Sequence, residues 1–408
     1  MILLKIVSFS RVVPFEGIPH AGGEYYLRHL DCLLEKHEVL VVVPDSKRNR
    51  EALDRNMSAA SFVLAPELTS RIPLGALVSR LMAELFPVSA PMALVAALRT
   101  NRQVINAIRE ADIVEFQWSE NSSLMEQVRT LNDNVRTIVV MHDILKQKYA
   151  RRLTTATTLK TRIRARVAYF SAFLLESRRL RGADAVITLS EKDRQLVTDS
   201  KGRPPTYVVS PPLSAIGDVE KSERIPFSVL FTGAMNRPEN DHGIQWFVEQ
   251  CWPMVIRSLP SATLTIAGAD PSDKLLSLVA DQPSILVTGY VEDLDILYTR
   301  SSAFVVPLFQ GAGVKFKTIT AMLNGLPVIS TIVGAEGVGD SALYSAVTDS
   351  PDDFSAALIR VLSDHEHWRF LSNRALHWSN DNYGTAKFQA SLDRIYGEKV
   401  LTLPRRLS

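Results

Sequence analysis

With 408 residues, the chain has room for two or three domains of roughly 150 residues each. Apolar residues at 46% and charged residues at 22% are globular proportions, which exclude a disordered or fibrous chain. Lys and Arg (46) nearly balance Asp and Glu (44), a formal net charge of +2, so nothing draws the whole chain toward nucleic acid. The two distant cysteines, Cys32 and Cys251, exclude a disulfide scaffold or a Cys-based zinc site.

The opening residues MILLKIVSFS have no basic stretch before the apolar run and no small-residue cleavage site after it, unlike a secretory signal. The longest uncharged stretch of the first domain, Leu85 to Leu98, is short for a membrane span and is interrupted by Pro87 and Pro91. The expectation is a cytoplasmic protein, free or peripheral at the inner face of the plasma membrane.

Short Ile- and Val-rich runs follow one another along the chain: Leu3 to Phe9, Glu38 to Val43, Asp112 to Phe116, Arg136 to Met141, Ala185 to Leu189 and Thr206 to Val209. None alternates strictly with polar residues, which is how strands buried on both faces read. Between the first two, Leu27, Leu30 and Leu34 share one face of a helix expected over Glu24 to Lys36. The polar stretch Leu213 to Pro226 reads as a linker. Strand runs then resume at Ser228 to Thr232, Thr263 to Ala267, Ile285 to Thr288, Ala303 to Pro307 and Leu326 to Ser330. The stretch Trp368 to Val400 reads as helical, with Phe388, Leu392 and Ile395 as its apolar stripe. This alternation predicts an α/β chain of two doubly wound, Rossmann-like domains facing each other across a cleft. The first covers residues 1–212, a linker 213–226 and the second 227–367. C-terminal helices over 368–408 are expected to cross back to the first domain. Such sheets bind ligands at the carboxyl ends of their strands.

Three strand-to-helix junctions carry groups suited to an anion. Gly22 and Gly23 precede the first helix, where free backbone N–H groups point outward, although a plain turn explains the pair as well. Gly311, Gly313, Lys315 and Lys317 precede or open a helix that ends near Leu323, a combination that suits a diphosphate. The helix end alone favours an anion by about 0.3–1 kcal/mol, and lysine hydrogen bonds add to that. Two residues apart on a helix, the lysines do not share a face, so one of them is expected in solvent. Gly233 and Arg237 open the third junction, where Gly233 allows close approach and Arg237 is either a second cation for the ligand or a loop arginine in water. His142 follows a strand end, a candidate catalytic group at the lip of the cleft or a simple strand cap. No metal-ligand cluster or phosphate-loop motif is present; His365 and His367 read as a solvated helix face.

One segment is strongly basic. From Lys146 to Arg181 there are eleven Lys and Arg residues against the single acid Glu176, a local net of +10. A solvated helix face accounts for this, and so does a surface for anionic lipid or a phosphate-bearing acceptor. Nucleic acid is not the expected partner, since few aromatics are interleaved. A salt-resistant share of membrane binding is expected from Leu85 to Leu98.

The second domain resembles the retaining GT-B glycosyltransferases of family 4. The resemblance rests on FTGAMNRPENDHGIQWF (231–247), TLTIAGADP (263–271), VTGYVEDL (287–294), GAGVKFKTITAMLNGLPVIST (311–331) and VGAEGV (333–338). The first domain is similar through AGGEYYLRHL, ADIVEFQW, VVMHD and ADAVITLSEKD. The resemblance implies a nucleotide-sugar donor, with Gly289, Tyr290 and Val291 by the base. It assigns Arg237, Lys315 and Lys317 to the diphosphate, closes Gly22 and Gly23 over the phosphates and puts His142 near the sugar. It further implies transfer with retention to a cell-surface polysaccharide or lipid-linked acceptor, with neither metal nor other cofactor. This chain departs from the family at Thr320, where many members carry the second Glu of a Glu-x7-Glu pair that contacts the donor ribose; Ala312 holds the first position. Glu336 is the substitute considered. Two other readings stay open: a non-catalytic GT-B-like binding or regulatory subunit, and a sugar-nucleotide epimerase of the same fold, for which no acid/base carboxylate pair stands out.

Overall fold

The computed structural model describes residues 3–18, 20–66, 88–155, 158–198, 202–215 and 224–397. The chain divides into two compact units, Met1–Ser210 with Ala386–Ser408, and Pro211–Thr385.

Among the described residues, the first unit holds a parallel sheet of seven strands: β1 (Lys5–Phe9), β2 (Glu38–Pro44), β3 (Ser61–Ala65), β4 (Ile113–Gln117), β5 (Arg136–Met141), β6 (Ala185–Thr188) and β7 (Thr206–Val208). Their order is β3-β2-β1-β4-β5-β6-β7. The second unit holds six: β8 (Ser228–Thr232), β9 (Thr263–Ala267), β10 (Ile285–Gly289), β11 (Ala303–Val306), β12 (Val328–Ser330) and β13 (Ala346–Val347), in the order β10-β9-β8-β11-β12-β13. Both sheets are doubly wound, as the alternation of runs predicts. Order reverses between β1 and β4 in one and between β8 and β11 in the other, and these are the points where such sheets open a crevice for ligands.

The lack of polar alternation has its cause in the second unit. Val229 and Phe231 point into one apolar layer with Leu264, Ile266 and Val305, while Leu230, Phe304 and Val306 point into the layer on the opposite face. Both faces are covered by helices, so neither strand face needs polar side chains. In the first unit Val7 and Phe9 enter the core, where the Phe9 and Phe116 rings stack at 5.9 Å. Ser8 points the other way, into a polar layer described below.

β3 and β13 are absent from the predicted strands. Each is the edge of its sheet, and β13 has only two residues, too few for a hydrophobic run. Of the expected linker, residues 216–223 lie outside the described residues. Its end is fastened to the second unit: Arg224 donates to the carbonyls of Ser301 and Asn324 and packs over Trp368. The helical stretch expected at 368–400 is two helices, His365–Asn382 and Thr385–Gly397, divided at Gly384 with φ +120°. The second buries Phe388, Leu392, Ile395 and Tyr396. Among the described residues, no helix is long and apolar enough to cross a membrane.

Candidate functional site

In the first unit the chemistry gathers beyond β1, β4 and β5. β4 reads IVEFQ, and Glu115 and Gln117, two apart on a strand, emerge on one face. Both are completely buried. Glu115 lies in register with Ser8 of β1, whose hydroxyl donates to Glu115 Oε1 at 2.5 Å and accepts in turn from Tyr26 at 2.7 Å. Gln117 Nε2 donates to the same oxygen at 3.1 Å. Glu115 Oε2 accepts from His29 Nε2 at 3.0 Å and from the Tyr396 hydroxyl. Burial pushes this carboxyl's pKa upward, but His29 and the hydrogen bonds from Ser8 and Tyr396 outweigh it and hold the group at about 2.

This network fixes the state of His142. Because Gln117 turns its amide N–H toward a carboxylate, its Oε1 faces His142 Nε2 at 2.9 Å and can only accept. His142 therefore carries its proton on Nε2 and leaves Nδ1 as a bare lone pair. Burial, with His29 and His20 nearby, lowers its pKa to about 3 against the opposing pull of Glu115, so the ring is neutral at physiological pH. Nδ1 is buried and has no partner. The ring stacks on Trp118 at 4.3 Å, and Trp118 itself has a positive φ, 64°, just after β4, a backbone that L side chains rarely adopt. Gly22 closes the arrangement, since a Cβ there would lie 3.3 Å from His142 Nδ1 and 3.4 Å from the Trp118 ring.

His142 follows the end of β5, where the sequence puts it, and is 6% exposed, walled in by Trp118, Tyr25 and Gly22. One expectation changes here. Gly23 does not offer a free N–H. That group donates to His20 Nδ1 at 2.9 Å, the side-chain cap of helix Ala21–Leu34.

In the second unit, the groups expected at the diphosphate converge at the carboxyl ends of β8 and β11. Lys315 is the cap residue before helix Phe316–Leu323, and its Nζ donates to the Gly313 carbonyl at 2.7 Å, tying up the glycine loop. Lys317 Nζ donates to the Thr232 carbonyl at 2.6 Å and to Asn240 Oδ1 at 2.8 Å, over the Phe231 ring at 4.4 Å. Neither lysine is therefore in solvent, contrary to the expectation, because only Lys317 lies within the helix and both ammonium groups find acceptors, Lys315 in the glycine loop and Lys317 at the end of β8 and on helix Pro238–Trp246. Gly233 makes room: a Cβ there would come within 2.8 Å of Lys317 Nζ. Burial, then the nearby charges of Lys315 and Arg237, lower the Lys317 pKa to about 7, with Glu239 opposing. Arg237 is exposed just before helix Pro238–Trp246.

The remaining expected positions are more dispersed. Gly311 and Gly313 belong to the loop after β11, both at positive φ. Gly289 ends β10, two strands from β8, and is followed by exposed Tyr290 and half-buried Val291. Thr320 is half-buried in helix Phe316–Leu323, next to fully buried Thr318, whose hydroxyl has no partner. Glu336 follows helix Ile332–Ala335 beyond β12. Among the described residues, no three His, Cys, Asp or Glu side chains are grouped to hold a metal ion.

Residues 226–364 match the family Glycosyl transferases group 1. A Klebsiella pneumoniae protein described as an uncharacterized 44.6 kDa protein in cps region is 30% identical over 173 residues, 40% of this chain and 45% of that protein. The chain thus spans less than half the length of that curated relative. HepE of Anabaena, solved with UDP and glucose, matches 97% of this chain and 100% of its own at TM-score 0.64 and 13% identity. A mutant of S. aureus TarM, solved with fondaparinux, alpha-GlcNAc-glycerol and UDP, matches 97% and 100% at TM-score 0.69 and 10% identity. The sucrose-phosphate synthase of Thermosynechococcus elongatus matches 96% and 98% at TM-score 0.68 and 17% identity.

The fold is GT-B.

Within this GT-B chain, sequence reading missed the groups that set His142: Glu115, Gln117, His29 and His20. A signal for two of them was present. Two polar side chains on one face of a strand otherwise buried on both sides need partners, and β4 has that pattern in Glu115 and Gln117.

Proposed function

We propose that this chain is a glycosyltransferase that moves a sugar from a nucleotide-sugar donor to a saccharide or lipid-linked acceptor of a cell-surface polysaccharide. The carrying observation is Lys317 beside Gly233 at the carboxyl end of β8, with Lys315 on the glycine loop and Arg237 close enough for both charges to act on it, at the strand-order reversal of the second sheet and inside the segment that matches the group 1 family. Cations and helix ends so arranged stabilise the negative charge that a departing nucleoside diphosphate gains, without a bound metal. Transfer with retention and family 4 membership are the finer reading, supported by the motifs at 231–247 and 311–331. The UDP complexes of HepE and TarM favour a uridine nucleotide as the first donor to try. The relative in a cps region favours a polysaccharide acceptor.

In this reading Arg237 and Lys315 bind the diphosphate, Lys317 completes the cluster, and Gly289 to Val291 lie toward the base. The bare Nδ1 of His142 accepts a hydrogen bond from a donor sugar hydroxyl. An unpartnered buried acceptor costs about 1–3 kcal/mol, so a hydroxyl that fills it is a favoured partner.

The test is a thermal-shift panel of UDP-, GDP-, dTDP- and ADP-sugars in EDTA, followed by detection of released nucleotide. A donor at a hundred times its Kd stabilises by about 2.7 kcal/mol. Failure of every nucleotide sugar to stabilise the protein sinks the reading. Stabilisation without nucleotide release, with acceptor extracts present, favours a binding subunit, for which Thr320 in place of the family's Glu is the motivating departure.

A further inference from the structure

Helix Leu159–Leu174 turns its large apolar side chains outward. Leu159, Ile163 and Phe170 are 75%, 53% and 61% exposed, and Val167 and Phe173 are exposed beside them. These five follow one another at spacings of four, four, three and three residues, so they form one continuous stripe along the helix. The opposite face, which packs on Leu145, Tyr149 and Leu175, buries only alanines, Ala165, Ala168 and Ala172, with Tyr169 half-buried at its side. A helix that serves only its own domain has the reverse arrangement, with large side chains inward.

The stripe carries charge of one sign. Lys160 and Arg162 lie on its two flanks, Arg166 lies within it and Arg164 stands farther round, all four exposed. Lys146 lies over the Phe173 ring at 5.6 Å, and Arg178 and Arg179 are exposed just beyond the helix.

We propose that this face of Leu159–Leu174 lies in the headgroup layer of an anionic bilayer, apolar stripe down, with the arginines and lysines against lipid phosphates. Charge complementarity selects this occupant. A second copy of the chain would bring like charges together along the same stripe, and an anionic saccharide offers nothing apolar to five exposed hydrophobic side chains. The helix lies in the plane of the membrane and does not cross it. The stretch Leu85 to Leu98, expected to supply the salt-resistant share, does not do so as a whole. Leu85 to Pro87 lie outside the described residues, and helix Met92–Thr100 turns Ala93, Leu94, Ala97 and Leu98 into the core. The inference does not depend on sugar transfer, because it is read by binding alone.

The experiment is co-sedimentation of the full chain with phosphatidylcholine vesicles and with phosphatidylcholine–phosphatidylglycerol vesicles across a salt series. Wild type is expected on the mixed vesicles and not on the neutral ones. Ile163→Ser with Phe170→Ser lowers partitioning by about 10- to 100-fold, a loss that persists at high salt. Arg162→Gln with Arg166→Gln lowers it roughly 30-fold at low salt, a loss that fades as salt screens the charges. All four side chains are exposed, so the melting temperature stays at the wild-type value. As a second probe, Phe170→Trp shifts its fluorescence to the blue on mixed vesicles only. Wild type that ignores lipid charge, or an apolar double variant that binds like wild type, overturns the proposal. If light scattering instead shows a wild-type dimer that the apolar variant breaks, the occupant is a second copy and the lipid assignment is dropped.

Discussion

At the scale of single residues, two side chains have protonation states set by burial and make opposite use of it. His142 is neutral with a chosen tautomer, because Gln117 can only accept at Nε2. Gln117→Leu removes that acceptor and frees the proton to occupy either nitrogen. The expected result is a kcat about tenfold or more lower with donor Kd nearly unchanged. Imidazole nitrogen shifts should report a tautomer mixture in place of a single Nε2–H form; a variant that keeps both the shifts and kcat would remove Gln117 from this role. Lys317 is held at about 7 by burial and by Lys315 and Arg237, so in the free protein it loses its proton just above neutrality. A bound diphosphate favours the charged form and raises that pKa. Below pH 7 affinity for UDP is then flat; above it, binding takes up a proton and Kd rises by up to tenfold per pH unit. Calorimetry at pH 8 in two buffers of different ionisation enthalpy should give close to one proton taken up by wild type and none by Lys317→Met. Zero uptake by wild type places Lys317 away from the phosphates.

At the scale of elements, helix Leu145–Thr155 begins under a buried acid. Glu176 accepts from the backbone N–H of Leu145 at 2.6 Å and of Lys146 at 3.2 Å. Burial nevertheless dominates, and its pKa rises to about 7 against the pull of those two N–H groups. The native state thus binds a proton more tightly than the unfolded chain, whose value is near 4.5. This contribution to stability is complete below pH 4.5 and is lost as pH rises through about 7, a few kcal/mol at most. Glu115 acts with the opposite sign: held at about 2, it contributes above 4.5 and loses its contribution as pH falls toward 2. In Glu176→Gln the decline in melting temperature between pH 5 and 7 should flatten; an unchanged slope would assign the decline to other groups. Elements were the most legible level of this chain. β5, β8 and β9 coincide with the runs read from the sequence; β5 and β8 have Ile, Val, Leu, Phe or Met at their centres because both faces are covered, whereas β9 alternates Thr with Leu and Ile and leaves Thr263 exposed. The face of Leu159–Leu174 was not legible. Its repeat contains both a small and a large apolar stripe, and only packing shows that alanine faces inward. The cation cluster was half legible, because the glycines mark the loops whereas Lys317 depends on Asn240 and Thr232 from a distant strand junction.

At the scale of the whole molecule, the first unit is discontinuous in sequence: residues from Ala386 onward rejoin it after the second unit is complete. The returning helix Thr385–Gly397 brings the Tyr396 hydroxyl to Glu115, gives the Ile395 carbonyl to Arg136 at 2.6 Å, and sets Phe388 against Tyr25 at 5.3 Å. A chain ended after Tyr383 loses all three contacts and leaves Glu115 without one of its donors. The first unit should lose about 3–5 kcal/mol or fail to fold, as when a buried charge is stripped of a partner. The second unit, which keeps its sheet and its cation cluster, should still melt cooperatively and bind nucleotide. Two separate calorimetric transitions in wild type, of which the truncation removes one, check this; loss of both would show that the second unit needs the first.

The return of Thr385–Gly397 also sets a timetable for synthesis. Residues Pro211–Thr385 must all be translated before Tyr396 can exist, which at ribosomal speeds of about 5–20 residues per second is a delay of roughly 10–35 s. Throughout that interval the nascent first unit holds Glu115, His29 and Arg136 in a layer open on the side that the last helix will cover. The second unit, contiguous in sequence, can finish folding first. The amino-terminal half is therefore the part that must be shielded on the ribosome, and slow codons or a chaperone matter most between the completion of β7 and the emergence of Tyr396.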